Sequence, residues 1–425
     1  MKPLIEEKPF SFLNVTLIVA ALGYFVDIYD LLLFSIIRIP SLKSFGLDDK
    51  AVTLNGEFIL NIQMLGLLLG GIFWGVLGDK KGRLSVLFGS ILLYSVANIF
   101  NGFVHTVNEY ALVRFIAGLG LAGELGAGIT LVSEMTPKEK RGIATSIVAG
   151  TGILGAVAAF LVKQEFPDNW RMCYFIGGGL GFLLLVLRIS VFESGMFNEL
   201  KNKDVQRGNF FMLFNNADRL KRYLTTIFIG LPTWFVIGIL VTFSSEFAKE
   251  FHIFEKVDPG KSVMFAYIGL SVADLLAGLI SNMMESRKKA LYFFYGITIL
   301  ATVAYFTLLN NATAGAMYVC CFVLGFGSGF WALFVTIGAE QFGTNLRATA
   351  ATTVPNMVRG LLVLVILLFK FLRGQSSYIT GGWITGAIVI ALGLISIYTT
   401  KETFGKDLDY VEGDKPISLD VYEEV

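Results

Sequence analysis

Six ionisable side chains lie in stretches too apolar to solvate them: Asp27, Asp30, Arg114, Glu124, Asp274 and Arg359. A charged group inside a membrane span is costly, and such groups mark proton, ion or substrate pathways. Asp27 and Asp30 stand three apart in GYFVDIYDLLLFS, so they share one face of a helix. Two close carboxylates with few cations oppose each other's ionisation, which suits one of them to carry a proton. The two histidines, His105 and His252, only flank apolar runs, so a proton relay at depth must use carboxylates. Arg114, in RFIAGLGLAGELGAG, falls about 8–10 Å from the outer membrane face, at the depth of Asp30. An Asp30–Arg114 pair is therefore expected, with Glu124 about 15 Å deeper than Arg114. Arg359 is read either as a bidentate contact for a substrate carboxylate or as a structural partner of Asp274. Four acids against two bases favour protonation, a bound cation, or both.

The elements that must hold these groups follow from composition. Apolar residues make up 55% of the 425-residue chain and charged residues 16%, against roughly 45–50% and 25% in soluble globular proteins. Mean hydropathy is +0.68. So few charges cannot cover a soluble surface of this size, and lipid must be the main solvent. The net charge of +1 leaves no basic field for nucleic acid. Cys173, Cys320 and Cys321 sit in apolar runs without CxxC spacing and read as small buried hydrophobes. No nucleophile, zinc or Walker pattern is present, so neither an enzyme nor a resident metal or cofactor is expected.

Segments of about 20 apolar residues recur near 12–37, 54–77, 84–104, 109–133, 142–162, 171–192, 222–246, 262–283, 289–309, 314–339, 349–371 and 377–399. The expected architecture is all-α: a polytopic membrane protein of twelve transmembrane helices in two pseudo-symmetric six-helix bundles. The bundles are assigned to 1–192 and 222–399, joined by a cytoplasmic loop over 193–221 and followed by a cytoplasmic tail over 400–425. The leading MKPLIEEKPF reads as a lead-in to the first helix rather than a cleaved signal. Lys and Arg favour one set of loops by two to one, which puts both termini in the cytoplasm. Pro232 and Trp234 in GLPTWF, and the glycines before Trp331 in GFGSGFW, mark helices 7 and 10 as interruptible. Their tryptophans are read as cavity or as interfacial belt residues.

The halves repeat. Glu134 and Arg141 stand seven apart, as do Glu340 and Arg347, and Glu193 in FESGMF answers Glu402 in KETFGK. Duplicated halves with a site between them are a transporter architecture. Between helices 2 and 3 runs GVLGDKKGR, whose glycines allow a tight turn and close helix approach. Asp79 there can pair with a cation or face a helix N-terminus across the seam between the halves. In the second copy, GLISNMMESRKK, Asn282 stands where an acid is expected, so a latch built from the two copies is asymmetric.

Gly75, Leu77, Gly78, Asp79, Lys80, Gly82 and Arg83 resemble the GxLaDrxGRk signature of the major facilitator superfamily. Gly23, Asp27, Tyr29 and Asp30, then Arg114, Gly118, Gly123 and Glu124, are similar to motifs of its metabolite:H+ symporter branch, with Asp27 for Glu and Ile28 for Trp. Glu134, Pro137, Arg141, Glu340 and Arg347 resemble that branch's loop signatures, with Gly343 for Pro. KETFGKDL resembles the sugar-porter ending, with Lys401 for Pro.

The resemblance implies a secondary active transporter that takes up a small polar metabolite, an organic anion or zwitterion, with protons by alternating access. Asp27, Asp30 and Arg114 would serve proton coupling. Tyr29, Glu124, Trp234, Asp274, Trp331 and Arg359 would line a substrate cavity. Gly75, Gly78, Asp79, Gly82, Arg83, Glu134, Arg141, Glu340 and Arg347 would form a cytoplasmic gate. A monomer in a lipid bilayer, the bacterial inner membrane, is expected. A sugar or neutral-solute transporter, a proton-driven exporter and a non-transporting receptor are the alternatives.

Overall fold

The computed structural model describes residues 15–137, 139–190, 208–413 and 417–418. The N-terminal lead-in, Lys138, the FESGMF stretch, the 193–207 part of the central loop and Lys415 lie outside the described residues, as does the Glu57 side chain.

Among the described residues, twelve helical spans are long and apolar enough to cross a membrane. They are spans 1 (Val15–Lys43), 2 (Leu54–Lys81), 3 (Arg83–Asn101), 4 (Val107–Met135), 5 (Arg141–Glu165), 6 (Trp170–Leu187), 7 (Ala217–Val241), 8 (Pro259–Met283), 9 (Arg287–Leu308), 10 (Ala314–Glu340), 11 (Arg347–Gln375) and 12 (Tyr378–Thr399). Lipid offers no hydrogen bonds, so each span must satisfy its own backbone. Large apolar side chains such as Phe73, Phe100, Leu112, Leu300 and Leu308 face outward, while Asp, Glu and Arg side chains are packed inside. A two-residue antiparallel pair, Tyr410–Val411 with Ile417–Ser418, is the only strand pairing among the described residues.

Most spans begin with a local cap. The side chains of Asp48, Thr106, Asn169, Asn216, Asp258, Ser286, Thr313 and Ser377 each accept from a backbone N–H of the helix that follows. Spans 3, 5 and 11 have no cap of their own. They begin at Arg83, Arg141 and Arg347, the cations of the loop signatures, so their free N–H groups lie open to partners from elsewhere in the fold.

Interruptions are more frequent than the sequence predicts. Span 10 breaks over Ser328–Phe330 as expected. Span 7 continues through Pro232 to Phe235 and loosens only afterwards, into a π-turn over Val236–Val241. Span 4 also breaks, at Ala122–Gly123, and span 5 at Leu154. The breaks in spans 4 and 10 occupy matching positions of the two halves, which extends the repeat from the loops to mid-membrane. Across the seam, span 2 packs on span 11 and span 5 on span 8.

Candidate functional site

A narrow cavity of about 20 Å³ lies between the halves, lined by Tyr24 and Ile28 of span 1, Trp234 of span 7, Tyr267 of span 8, Trp331 of span 10 and Arg359 of span 11. The break in span 10 brings Trp331 to the first turn of its second half-helix, and the two tryptophan rings meet edge to face at 6.3 Å. The Arg359 guanidinium stands 5.9 Å from each ring. Arg359 donates to Asn356 Oδ1 at 3.0 Å, and its Nε has no partner. No bond joins it to Asp274, so the structural-pair reading is corrected. Cation–π contact leaves its remaining N–H groups free for a carboxylate.

Asp27 lies beside this cavity, one helical turn from Tyr24 and Leu31. It is 0% exposed, and neither carboxylate oxygen has a hydrogen-bond partner. Arg359 is the cation acting most strongly on it. Asp30 differs, because Arg114 donates to its Oδ1 through both Nη atoms at 3.1 Å and also to Asn98 Oδ1 at 2.7 Å. The two carboxylates three residues apart thus face opposite circumstances.

Three expected cavity residues lie elsewhere. Tyr29 points into the first bundle, where its hydroxyl donates to the Cys173 carbonyl at 2.9 Å. Asp274 accepts from the Ala332 N–H at 3.0 Å and so caps the half-helix that carries Trp331, which lacks a cap of its own. Glu124 is paired with Arg188, whose Nη1 meets Glu124 Oε2 at 3.0 Å and the Leu87 carbonyl at 2.8 Å. Arg188 is the residue that sequence reasoning missed. A lone arginine ending an apolar run reads as lying at the edge of its span, and only the packing of spans 1, 3, 4 and 6 buries it.

At the end where the 2–3 loop lies, the seam is closed by charge. Asp79 accepts from the Ala348 and Thr349 N–H groups at 3.0 and 2.8 Å, so it supplies span 11 with its missing cap from the other half. Arg83 sits 3.5 Å from Asp79, donates to the Gly78 carbonyl at 3.0 Å and meets Glu134 at 2.8 Å. Arg347 reaches the same Glu134 oxygen at 3.0 Å. In the second copy, Glu340 meets Arg287 at 3.0 Å and Arg141 at 3.7 Å. Each glutamate is thus held by one arginine of its own half and one of the other. Gly75 permits the close approach, since a Cβ there would stand 3.0 Å from the Thr349 backbone. Gly82 ends span 2 at φ +99°, a conformation other residues avoid.

The segment after span 12 packs onto this seam. Thr403 donates to Glu340 at 2.7 Å, Arg347 to the Leu408 carbonyl at 2.6 Å, and Arg222 to both carboxylate oxygens of Glu412 at 2.9 and 3.2 Å. Glu402 caps span 9, accepting from the Arg287 N–H at 2.9 Å and from the Ser286 hydroxyl.

Twelve spans among the described residues, in two repeated halves with a largely apolar cavity and one arginine between them, are the architecture of a membrane transporter. The model of the Major Facilitator Superfamily matches residues 13–366, and the chain belongs to that superfamily. It is therefore a multi-pass membrane transporter and not an enzyme. A putative metabolite transport protein of Haemophilus influenzae is 27% identical over 92% of this chain and 97% of its own length. The niacin transporter of Acinetobacter baylyi is 24% identical over 96% and 98%. The benzoate transport protein of the same organism is 24% identical over 78% of each chain. Among solved structures, a proton:xylose symporter shares the fold at TM-score 0.72 and 17% identity, covering 93% of this chain and 97% of that one.

Proposed function

We propose that this protein imports a small organic carboxylate together with a proton, by alternating access of the cavity to the two sides of the membrane. The observation that carries the reading is Asp27, a buried carboxyl with no hydrogen-bond partner beside a cavity whose cation is Arg359. A buried carboxylate without a donor is costly, and a proton or a closer cation relieves it. A substrate carboxylate arriving at Arg359 competes with Asp27 for that cation and leaves Asp27 to take a proton. Asp27 is the proton carrier in this reading, since Asp30 already has Arg114. Trp234 and Trp331 suit a flat ring beside the carboxylate, in keeping with the names of the niacin and benzoate transporters.

Asp79, Arg83, Glu134, Arg141, Glu340 and Arg347, with Gly75, Gly78 and Gly82, form the cytoplasmic gate in this reading. The protein works as a monomer in the lipid of a bacterial inner membrane, with both termini inside.

Proteoliposomes with an imposed pH gradient test the assignment. Nicotinate or benzoate is expected to accumulate, and Asp27→Asn to keep exchange of unlabelled for labelled solute while losing accumulation. Accumulation at the native level in Asp27→Asn overturns the coupling role. A zwitterion is the second reading, because Asp27 beside Arg359 also complements an ammonium and a carboxylate on one solute. Uptake of betaine that ignores the pH gradient would favour it.

A further inference from the structure

Where span 4 breaks, its backbone ladder changes register. The Gly123 N–H turns to the Gly120 carbonyl at 3.3 Å, and the ladder resumes with Ala127 to Gly123 at 3.2 Å. Side chains meet two of the carbonyls at the break. Trp74 Nε1 of span 2 donates to the Leu119 carbonyl at 2.7 Å, within the first half. Asn356 Nδ2 of span 11 donates to the Ala122 carbonyl at 3.0 Å, from the second half. An unmet carbonyl at this depth is costly, so the break gains from both donors.

Asn356 also reaches the cavity. Its Nδ2 donates to the Thr352 carbonyl of its own helix at 2.8 Å, and its Oδ1 accepts from Arg359 Nη1 at 3.0 Å. An amide has two N–H donors and one acceptor oxygen, and in Asn356, which is 2% exposed, all three are engaged. Gly71 of span 2 leaves the room, since a Cβ there would stand 2.9 Å from Asn356 Cβ. The amide is thus seated in the first half while it holds the cavity arginine of the second. A comparable bond, from Ser271 Oγ of span 8 to the Gly150 carbonyl of span 5 at 2.6 Å, joins the halves without holding Arg359.

We propose that Asn356 is a positioning residue that ties the grip of Arg359 on a solute carboxylate to closure of the seam. While the Ala122 carbonyl fixes the amide, the amide fixes Arg359 Nη1, and the guanidinium is preorganised for a carboxylate. When span 4 withdraws from span 11, the amide keeps only Thr352 and can turn, so the guanidinium loses its fixed partner. The carboxylate is held tightly with the seam closed and loosely with it open. The inference rests on the reading of Arg359 as the carboxylate contact. By linkage, a solute that binds better to the closed seam also holds the seam closed.

Thiol labelling of Ala348→Cys, read by peptide mass in purified protein in lipid, reports the seam, because Ala348 is buried there against Gly78. Benzoate is the probe, and calorimetry follows its binding in parallel. With no further change, saturating benzoate is expected to slow labelling about fivefold or more. Added Asn356→Ala should weaken benzoate binding, and saturating benzoate should then leave labelling unchanged. Added Ser271→Ala, which also cuts a bond between the halves, should label faster yet keep the protection by benzoate. A merely structural Asn356 predicts protection that survives in Asn356→Ala, and that result overturns the proposal. Equal loss of protection in Ser271→Ala, or benzoate binding without protection in the parent, overturns it too. Should the alanine variant fail to fold or to bind, Asn356→Asp carries the same prediction, since it keeps an oxygen for Arg359 and lacks the N–H for Ala122. Absence of benzoate binding in the parent, or binding in Arg359→Gln as tight as in the parent, defeats the carboxylate reading as well.

Discussion

The two copies of the seam share a plan and differ at the position that meets the next half. In the first, Asp79 brings an anion to the uncapped start of span 11 and receives two N–H groups there. In the second, Asn282 occupies the matching place against span 5 and donates to the Glu139 carbonyl at 2.5 Å. An anion at a helix N-terminus gains from both the orphan N–H groups and the helix dipole, whereas an amide donating to a carbonyl gains one neutral bond. The cross-seam ion pairs follow the same trend, 3.0 Å for Glu134–Arg347 and 3.7 Å for Glu340–Arg141. The first copy therefore holds the halves together more firmly. The second relies on the segment after span 12, whose Thr403 and Glu402 bind Glu340 and the start of span 9.

The comparison can be broken most directly at Glu134. Glu134→Gln removes the anion that the buried Arg83 and Arg347 share and should cost about 3–5 kcal/mol, measured by equilibrium unfolding in mixed micelles. Thiol labelling of cysteines placed at the seam should also rise more than in Glu340→Gln. Equal labelling in the two variants would remove the asymmetry. Asp79→Asn comes next, with an expected loss of about 1–3 kcal/mol as span 11 loses its charged cap. A value below that of Asn282→Ala would reverse the ranking.

A pH titration sharpens the account of the second copy. Burial pushes the Glu402 carboxyl up, but the Ser286 hydroxyl and the N–H groups of Phe404, Arg287 and Lys288 together hold it below the ordinary glutamate range. Its contribution is complete above its unfolded pKa and is lost as pH falls through the lower folded value. Glu402→Gln should flatten that acid limb of the stability curve. An unchanged limb would mean that the cap contributes nothing. The smallest effect is expected from Asn282→Ala, below about 1 kcal/mol, since only one neutral bond at a half-buried site is lost.

Much of this protein is legible one segment at a time. Hydropathy marks the twelve spans because a helix in lipid must be apolar along its own length. The matched Glu–Arg spacings announce the repeat, and the Asp in GVLGDKKGR announces an interaction across the seam. Asp30 and Arg114 can be paired by depth alone, because both are counted from the same membrane face. Depth along one helix does not say which way a side chain turns or what packs against it. Tyr29, Glu124 and Asp274 have the right depth for the cavity but turn elsewhere. Arg188 reads as lying at the edge of its span and is buried. The lack of any partner for Asp27 is a property of all its neighbours at once. Sequence by itself determined the spans, the repeat and the inventory of embedded charges, since these depend on local composition. Tertiary packing alone decided which carboxyl is paired, which is free and which arginine faces the cavity, because each of those contacts joins residues from different spans.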